Sequence, residues 1–228
     1  MEFINRLKKE MSEGIVRAVL EDAGYRVTDC GIEKVIPALN CRSVEEYEAL
    51  SFSTALRTLP DFVVMTSDET EQLLVEVKYR TLWGLEVLEK VREQVRIHGE
   101  LVLISFNASA PNPRNYADSP SRFLRCCRLR NCEGFYEVEL RERGSSRAWH
   151  LVDDLTDGPA LWWALSPLHQ LFGQLREDDG RVSLREAVKA ISGILDAAPT
   201  SAAANDGADR QPKHRLADPK LAKSRKST

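Results

Sequence analysis

Three side chains on two neighbouring predicted strands have the types and spacing that metal-dependent chemistry requires. Asp61 opens the apolar segment 61–65, and Glu76 and Lys78 are one residue apart in the apolar segment 73–79. Alternate side chains leave the same face of a strand, so Glu76 and Lys78 are neighbours. The polar residues between the segments predict a hairpin, which brings Asp61 close to them. Converging carboxylates repel one another unless a cation lies between them, and Mg²⁺ prefers such oxygen ligands.

The same residues have a second interpretation, in which they carry out no chemistry. Glu76 and Lys78 would then form the exposed, salt-bridged face of an edge strand, an arrangement that contributes little to stability. Asp61 would merely cap a turn after Pro60. The two interpretations differ in whether these side chains face solvent or a partly buried polar site.

The segments before the hairpin predict elements that would position these side chains. Apolar residues at three- and four-residue spacing over 2–24 predict an amphipathic helix that ends near Gly24. Glu13 projects beside the apolar stripe of this helix. Segments 25–27 and 32–36 are predicted to be short strands.

Two further helices and a buried strand complete the predicted core. Segment 43–58 predicts a helix, with Ser43 as its N-cap and Glu46 completing a capping box. Segment 85–98 predicts a helix that a following glycine ends. Segment 101–106 is a continuous apolar run, as expected of a strand buried on both faces. The predicted fold class is therefore α/β.

Residues 59–61 (LPD) and 76–78 (EVK), placed on adjacent predicted strands, resemble the signature of the PD-(D/E)xK nuclease superfamily. The resemblance covers about residues 1–106. It implies a restriction-endonuclease-like core of helix, three-stranded meander, helix and strand. An acidic residue on the first helix is frequent in the branch that resembles archaeal Holliday junction resolvases and recombination-associated exonucleases, and Glu13 matches that position.

The resemblance also implies a role for each group. Asp61 and Glu76 would bind Mg²⁺, or Mn²⁺ in its place, together with the backbone carbonyl of Val77. Glu13 would hold a water on the metal or a second ion. Lys78 would position the attacking water and stabilise the charge that develops on the scissile phosphate. The implied enzyme is a Mg²⁺-dependent deoxyribonuclease that hydrolyses phosphodiester bonds of DNA.

Further residues are candidates for contact with nucleic acid. Some related nucleases carry a Gln or Tyr on the helix after the signature strand, and Gln94 lies on that helix here. Arg80 alternates onto the face of Lys78 and could touch a phosphate. The densest basic run of the body is predicted to contact the DNA backbone, the alternative being a solvated helix face. Its arginines are Arg122, Arg125, Arg128 and Arg130.

The remaining sequence predicts a C-terminal extension of a nuclease domain that comprises residues 1–196. After a proline-rich loop, a hairpin would join segments 134–140 and 147–152. Two helices would follow, and the first of them, rich in Trp and Leu, is predicted to form core or a dimer surface. These helices are predicted at 159–175 and 182–195. Residues 197–228 lack aromatic residues and are predicted to be a disordered basic tail.

The cysteines and histidines are assigned no catalytic role. The five cysteines are odd in number and irregularly spaced, which argues against a secreted disulfide framework. Buried or free thiols are favoured over a metal site. The four histidines show no metal-ligand spacing.

Composition predicts a globular protein of the cytoplasm. Hydrophobic residues make up 43% of the chain and charged residues 29%, as is typical of globular domains. No apolar run approaches the roughly 18 residues that span a bilayer, and no signal-peptide core is present. The formal net charge is −3, so an acidic body that approaches phosphates needs basic patches or metal ions.

Two other classes of function remain open beside the nuclease. The chain could be a catalytically idle module that binds nucleic acid or protein, although an intact set of Asp61, Glu76 and Lys78 argues against it. It could also be the nuclease subunit of a larger DNA-processing complex, or form a homodimer. The choices between DNA and RNA, and between endonuclease and exonuclease, are open at this point.

Overall fold

The computed structural model describes residues 2–42, 45–46, 49–110, 122–142, 146–175 and 187. These residues form a seven-stranded sheet in which every strand lies beside its neighbour in sequence. The strands β3 and β4 are parallel, and the other neighbours are antiparallel. The strands are β1 (Arg26–Asp29), β2 (Phe62–Met65), β3 (Gln72–Arg80), β4 (Glu100–Asn107), β5 (Leu124–Cys132), β6 (Phe135–Arg141) and β7 (Arg147–Leu151).

The helices of the described residues range from single turns to long amphipathic elements. They are α1 (Glu2–Asp22), α2 (Ile32–Val35), α3 (Thr54–Arg57), α4 (Glu86–His98), α5 (Pro159–Ala164) and α6 (Leu168–Leu171). Short 3₁₀ helices span Pro37–Cys41 and Val152–Asp154. None of the described helices is long and apolar enough to cross a membrane.

The parallel pair requires a crossover, because two parallel strands cannot be joined by a tight turn. Helix α4 provides this crossover between β3 and β4. Its buried face carries Val87, Leu88, Val91 and Val95, and Gly99 ends it with a φ of 86°, a conformation that favours glycine. The prediction of a helix over 85–98 is therefore confirmed.

The core has two layers, one on each side of the sheet. Helix α1 packs Val16, Val19 and Leu20 onto one face, and α4 packs with Trp162 of α5 onto the other. Strand β4 serves both layers, because successive side chains alternate between the faces of a strand. Its residues 102, 104 and 106 join the α1 layer, and residues 101 and 103 join the α4 layer. The prediction that this strand is buried on both faces is confirmed.

The predicted strand at 32–36 is wrong. Residues Ile32–Val35 form the helical turn α2, and the backbone N–H groups of Lys34 and Ile36 donate to the carbonyls of Gly31 and Ile32. The β-branched residues favour a strand locally, but the segment makes these local helical hydrogen bonds and is not part of the described sheet.

The predicted continuous helix at 43–58 is also wrong. Residues 45–46 are helical and α3 covers Thr54–Arg57, but residues 51–53 between them are not helical. Ser53 starts the second helix instead, because its Oγ accepts a hydrogen bond from the Leu56 N–H at 3.4 Å. Serine side chains compete with the helical backbone and favour such caps. The proposed N-cap Ser43 lies outside the described residues.

The Trp-rich segment is likewise not one helix. It forms α5 and α6, separated at Ser166, whose backbone exchanges hydrogen bonds of 2.8 Å with Cys126 of β5. Pro167 follows and disfavours a helical residue before it. Trp162 and Phe172 are buried, so the prediction that this segment forms core is confirmed. The predicted helix at 182–195, apart from helical residue 187, and the tail at 197–228 lie outside the described residues.

The C-terminal extension contains the predicted hairpin, formed by β6 and β7. The basic run before it is strand β5 and not a helix, so its interpretation as a solvated helix face is wrong. Leu124–Cys132 pairs with β4 on one side and with β6 on the other. Arg125 therefore lies on one face of the sheet, and Arg128 and Arg130 lie on the other.

Candidate active site

Asp61 reaches β3 because β2 begins directly after it. Phe62 pairs with Val75, so the chain at Asp61 passes beside Glu76. The Asp61 carboxylate accepts a hydrogen bond from the backbone N–H of Val77, with Oδ2 and N 2.8 Å apart. The structure thus brings Asp61 to the segment that carries Glu76 and Lys78.

Strand β3 continues beyond the end of its pairing with β2. The pairing with β2 covers residues 72–75 of β3, whereas the pairing with β4 covers residues 75–80. Within the described sheet, residues 76–80 therefore have a strand neighbour on the β4 side alone. Glu76 and Lys78 lie on this half-paired part of the strand.

Glu76 is buried, with 5% of its surface exposed. Its Oε1 accepts a hydrogen bond from the Lys78 ammonium in a close ion pair. Its Oε2 accepts a hydrogen bond of 2.8 Å from the amide of Gln94 on α4, which is also buried. Buried charges need such partners. The prediction of an exposed face is wrong for Glu76, which occupies a buried polar site, whereas its predicted ion pair with Lys78 is present.

Glu13 approaches the same site from α1. Its Oε1 lies 3.7 Å from the Nζ of Lys9, one helical turn earlier, and Lys9 Nζ also lies 3.1 Å from Oε1 of Glu33 on α2. Glu13 and Asp61 both line a cleft of about 410 Å³. We call it the mixed cleft, because its charged residues include four of each sign. These are Glu10, Glu13, Glu33 and Asp61 with Arg6, Lys9, Lys34 and Arg42.

Burial and neighbouring like charges raise the pKa values of two carboxyl groups in this site. Burial, with the neighbouring charges of Glu76 and Glu13, raises the pKa of Asp61 to about 8, although Lys78 and the Val77 N–H act in the opposite direction. Burial also raises the pKa of Glu13, against the opposing effect of Lys9. Carboxyl groups that are difficult to ionise together form a site in which a bound cation is stabilising.

Lys9 is a cation that the fold places beside the carboxylates of the mixed cleft. Partial burial lowers the pKa of Lys9, but Glu13, Glu33 and Asp61 outweigh burial, so the pKa lies above its usual range. Burial raises the pKa of Glu33, but Lys9 outweighs that effect and the pKa lies below its usual range. Sequence reasoning missed Glu33, because its position depends on the unpredicted helical turn α2.

A second cleft, of about 500 Å³, opens where α1, β3 and α4 meet. We call it the basic cleft, because the described residues that line it include five Lys or Arg and no acidic residue. The cations are Lys8, Lys9, Lys78, Arg80 and Lys90, and Val77, Tyr79 and Thr81 complete the lining. Arg80 was predicted to contact nucleic acid. Lys8, Lys9 and Lys90 were missed, because residues so distant in sequence converge only through the tertiary fold.

The arginines of the β5 region do not line either cleft. Arg125 is fully buried, with its guanidinium 4.5 Å from the ring centre of Trp163 and a donated hydrogen bond to the Trp163 carbonyl. Its predicted contact with DNA is not supported by this burial. Arg122 donates to the carbonyl of Ala110, and Arg128 lies 4.0 Å from Glu100. Contact of Arg122 and Arg128 with nucleic acid stays a prediction.

The donor set of the site suits a hard cation, although it is not preformed. Among the described residues, no three Asp, Glu, His or Cys side chains are grouped as a metal site. Mg²⁺ does not require three protein ligands, because it retains several waters and binds through one or two carboxylates and substrate phosphates. Asp61 and Glu76 both lie at β3 and have carboxylate oxygens, which are ligands of the kind that Mg²⁺ binds.

The described cysteines are free thiols in separate environments. Cys126 belongs to the core layer of α1 and Cys127 to that of α4, since neighbours in a strand face opposite ways. Burial raises the pKa of both thiols. Such thiols behave as small hydrophobic residues.

Comparison of the chain with protein-family models, with curated proteins and with solved structures gave no match.

Proposed function

We propose that this chain is a metal-dependent nuclease that hydrolyses phosphodiester bonds of DNA in a restriction-endonuclease-like domain. One observation carries the proposal. Asp61, Glu76 and Lys78 meet at the half-paired part of β3, where two carboxylates that repel each other adjoin a lysine that also lines a cationic cleft.

The order of elements supports the proposed fold. Helix α1 precedes the antiparallel strands β1, β2 and β3, and helix α4 then leads to β4, which is parallel to β3. This is the order of helix, meander, helix and strand that the sequence motif implies. Glu76 and Lys78 lie on β3 and Asp61 directly precedes β2, which supports the proposal.

The carboxylates account for the need for a metal. Asp61 has a pKa of about 8 without a cation, so a bound cation would favour its ionised form. A bound Mg²⁺ would supply a more acidic water and would neutralise the phosphate oxygens. Asp61 and Glu76 would hold the ion, and Glu13 lies near enough to interact electrostatically with both carboxylates.

Lys78 and Gln94 have separable roles in this site. Lys78 now pairs with Glu76, and it would turn to the scissile phosphate once a metal ion neutralises that carboxylate. There its ammonium stabilises the negative charge that develops during hydrolysis. Gln94 is a positioning residue, because its amide holds Glu76 Oε2 from α4.

A second candidate function is binding of nucleic acid without hydrolysis. Its support is that both oxygens of Glu76 already have protein partners. In such a module the ion pair of Glu76 with Lys78 would be permanent, and the basic cleft would be the functional surface.

Cleavage of labelled DNA separates the two candidates. Linear duplex, single-stranded and four-way-junction DNA are incubated with Mg²⁺ or Mn²⁺, using wild type, Asp61→Asn and Lys78→Gln. A nuclease gives metal-dependent products with the wild type, and both variants lose activity. The matched control is Asp68→Asn, the same substitution in the exposed turn between β2 and β3. Binding without cleavage under every metal condition would support the second candidate.

A further inference from the structure

We propose that the basic cleft binds the sugar-phosphate backbone of the substrate strand on one side of the scissile phosphate, and that the mixed cleft does not bind it. The inference rests on the proposed function, because it takes Lys78 to mark the position of the scissile phosphate. The ligand is the phosphodiester backbone of a single nucleic-acid strand.

The charge of the basic cleft is the first support. Its described lining has five cationic side chains and no acidic one, within about 500 Å³. Glu86 is a nearby carboxylate, but its Oε1 is 4.0 Å from both Arg80 Nε and Lys90 Nζ, at the limit of an ion pair. Lys90 is 57% exposed. Lys90 therefore remains accessible to a solvent-borne anion.

The composition of the cleft is the second support. Tyr79 lines it, and Lys8 Nζ lies 5.1 Å from the centre of the Tyr79 ring. This contact holds the ammonium of Lys8 over the ring at the cleft wall. Cations combined with an aromatic ring are typical of grooves that follow a single nucleic-acid strand.

The position of Lys78 connects the cleft to the chemistry. Lys78 is both the partner of Glu76 and a residue of the cleft lining. Lys8 approaches from α1 and Lys90 from α4, so they flank the strand end that carries Lys78. A phosphate at Lys78 therefore places the next phosphates of the same strand among these cations.

The mixed cleft indicates on which side of Lys78 the substrate strand is bound. It carries Glu10, Glu13, Glu33 and Asp61, and the cation that it shares with the basic cleft, Lys9, is paired with Glu13 and Glu33. Phosphates on that side would meet four carboxylates that offset the four cations, whereas the lining of the basic cleft is cationic alone. The substrate strand is therefore bound on the side of Lys8 and Lys90.

Binding of a short, labelled single-stranded DNA in EDTA tests the inference without cleavage. Fluorescence anisotropy is measured over a series of salt concentrations for wild type and for the double variant Lys8→Gln, Lys90→Gln. We expect weaker binding by the double variant. The slope of log affinity against log salt should decrease by about 1.4, or about 0.7 for each phosphate that the protein no longer neutralises.

The matched controls remove one charge from each of the same two helices outside the cleft. They are Arg6→Gln on α1, which lines the mixed cleft, and Arg96→Gln on α4, which pairs with Glu93. Both should bind as the wild type does. The charge-preserving double variant Lys8→Arg, Lys90→Arg should also bind, and circular dichroism checks that every variant is folded.

The outcomes separate this inference from the proposed function. Loss of affinity and slope in the Gln double variant alone, with the controls and the Arg double variant binding as the wild type does, supports the inference. If wild type cleaves DNA but the double variant binds as the controls do, the inference is overturned and the nuclease stands. If the double variant loses binding but wild type cleaves nothing with either metal, both are overturned, because no phosphate is then scissile.

Discussion

The two clefts that meet at Lys9 differ in the charges of their linings. The mixed cleft contains Glu13 and Asp61, whose pKa values are raised, and so it favours an added cation. The basic cleft presents cations and accepts an anion. The chain has a net charge of −3, so its overall charge does not attract phosphate. Because carboxylates line one cleft and cations alone line the other, a cation site and a phosphate site can lie side by side.

Two lysines of the basic cleft should respond differently, and this is the largest effect that we expect. Lys78→Gln should reduce the cleavage rate at saturating DNA by at least about a hundredfold, as expected when a group that stabilises developing charge is lost. Lys90→Gln should weaken binding and leave that rate unchanged. Single-turnover kinetics over a range of enzyme concentrations separates the two quantities. Equal losses of rate in both variants would contradict the assignment of Lys78 to catalysis and of Lys90 to binding.

Asp61 should destabilise the metal-free protein at high pH. Asp61 keeps its proton up to a pH of about 8 in the folded protein, whereas an unfolded chain loses it near about 3.9. The folded state binds more protons within this window, so the free energy of unfolding decreases as pH rises through it. We expect Asp61→Asn to have a higher melting temperature than wild type at pH 8.5 but not at pH 3.5.

Thermal denaturation with and without Mg²⁺ measures this effect and supplies its control. Mg²⁺ should raise the melting temperature of wild type most at high pH and should not raise that of Asp61→Asn. Asp68 has the opposite shift, because hydrogen bonds with Thr66 and Thr70 lower its pKa. Asp68→Asn should therefore give no gain in stability at pH 8.5. If Asp68→Asn raised the melting temperature as much as Asp61→Asn does, the destabilisation at high pH could not be assigned to Asp61 in the mixed cleft.

Gln94 should affect both stability and metal affinity, because it fixes Glu76 beside both clefts. In Gln94→Leu, one buried oxygen of Glu76 loses its donor, which should cost about 1–3 kcal/mol of unfolding free energy. The Mg²⁺ concentration for half-maximal cleavage should rise by about tenfold to a hundredfold, as for other partners of metal ligands. Urea denaturation and a Mg²⁺ titration measure the two effects. Glu93→Gln, on the exposed side of α4, is the control, and an unchanged titration in Gln94→Leu would make Gln94 purely structural.

The smallest effect concerns the start of α4, which carries Lys90 and Gln94 to their respective sites. Asp157 of the C-terminal extension accepts a hydrogen bond from the Leu85 N–H at 3.0 Å, where α4 begins. Asp157→Ala should cost about 1 kcal/mol, as for other lost helix caps. Urea denaturation measures this, with the nearby exposed Asp154→Ala as control. Equal effects of the two substitutions would show that Asp157 does not cap α4.

The sequence predicted the elements whose patterns are long and regular. The hairpin of β2 and β3, helix α4 and strand β4 have apolar or β-branched runs with clear ends, and these elements place Asp61 beside Glu76. The short turns were not predictable in the same way. Residues Ile32–Val35 have strand propensity but form the single helical turn α2, because strand propensity depends on tertiary context.

Burial and charge at the site were harder to predict than the strands. Arg125 was expected at the surface, yet the fold buries it against Trp163 and a backbone carbonyl. Lys8 and Lys90 have no local motif, since each is a common residue on a helix surface. Their joint position becomes visible only when α1 and α4 are placed on either side of β3.

The half-paired part of β3 also bears on the solubility of the protein. Residues 76–80 have, within the described sheet, a strand neighbour on one side alone, and an open strand edge is a template for pairing with another chain. Lys78 and Arg80 lie at this edge, and charged side chains oppose such edge-to-edge association. The charges that would hold a phosphate should thus also oppose association of copies of this chain through this edge. Neutral variants at both positions should therefore aggregate more readily, even where their folded structure is unchanged.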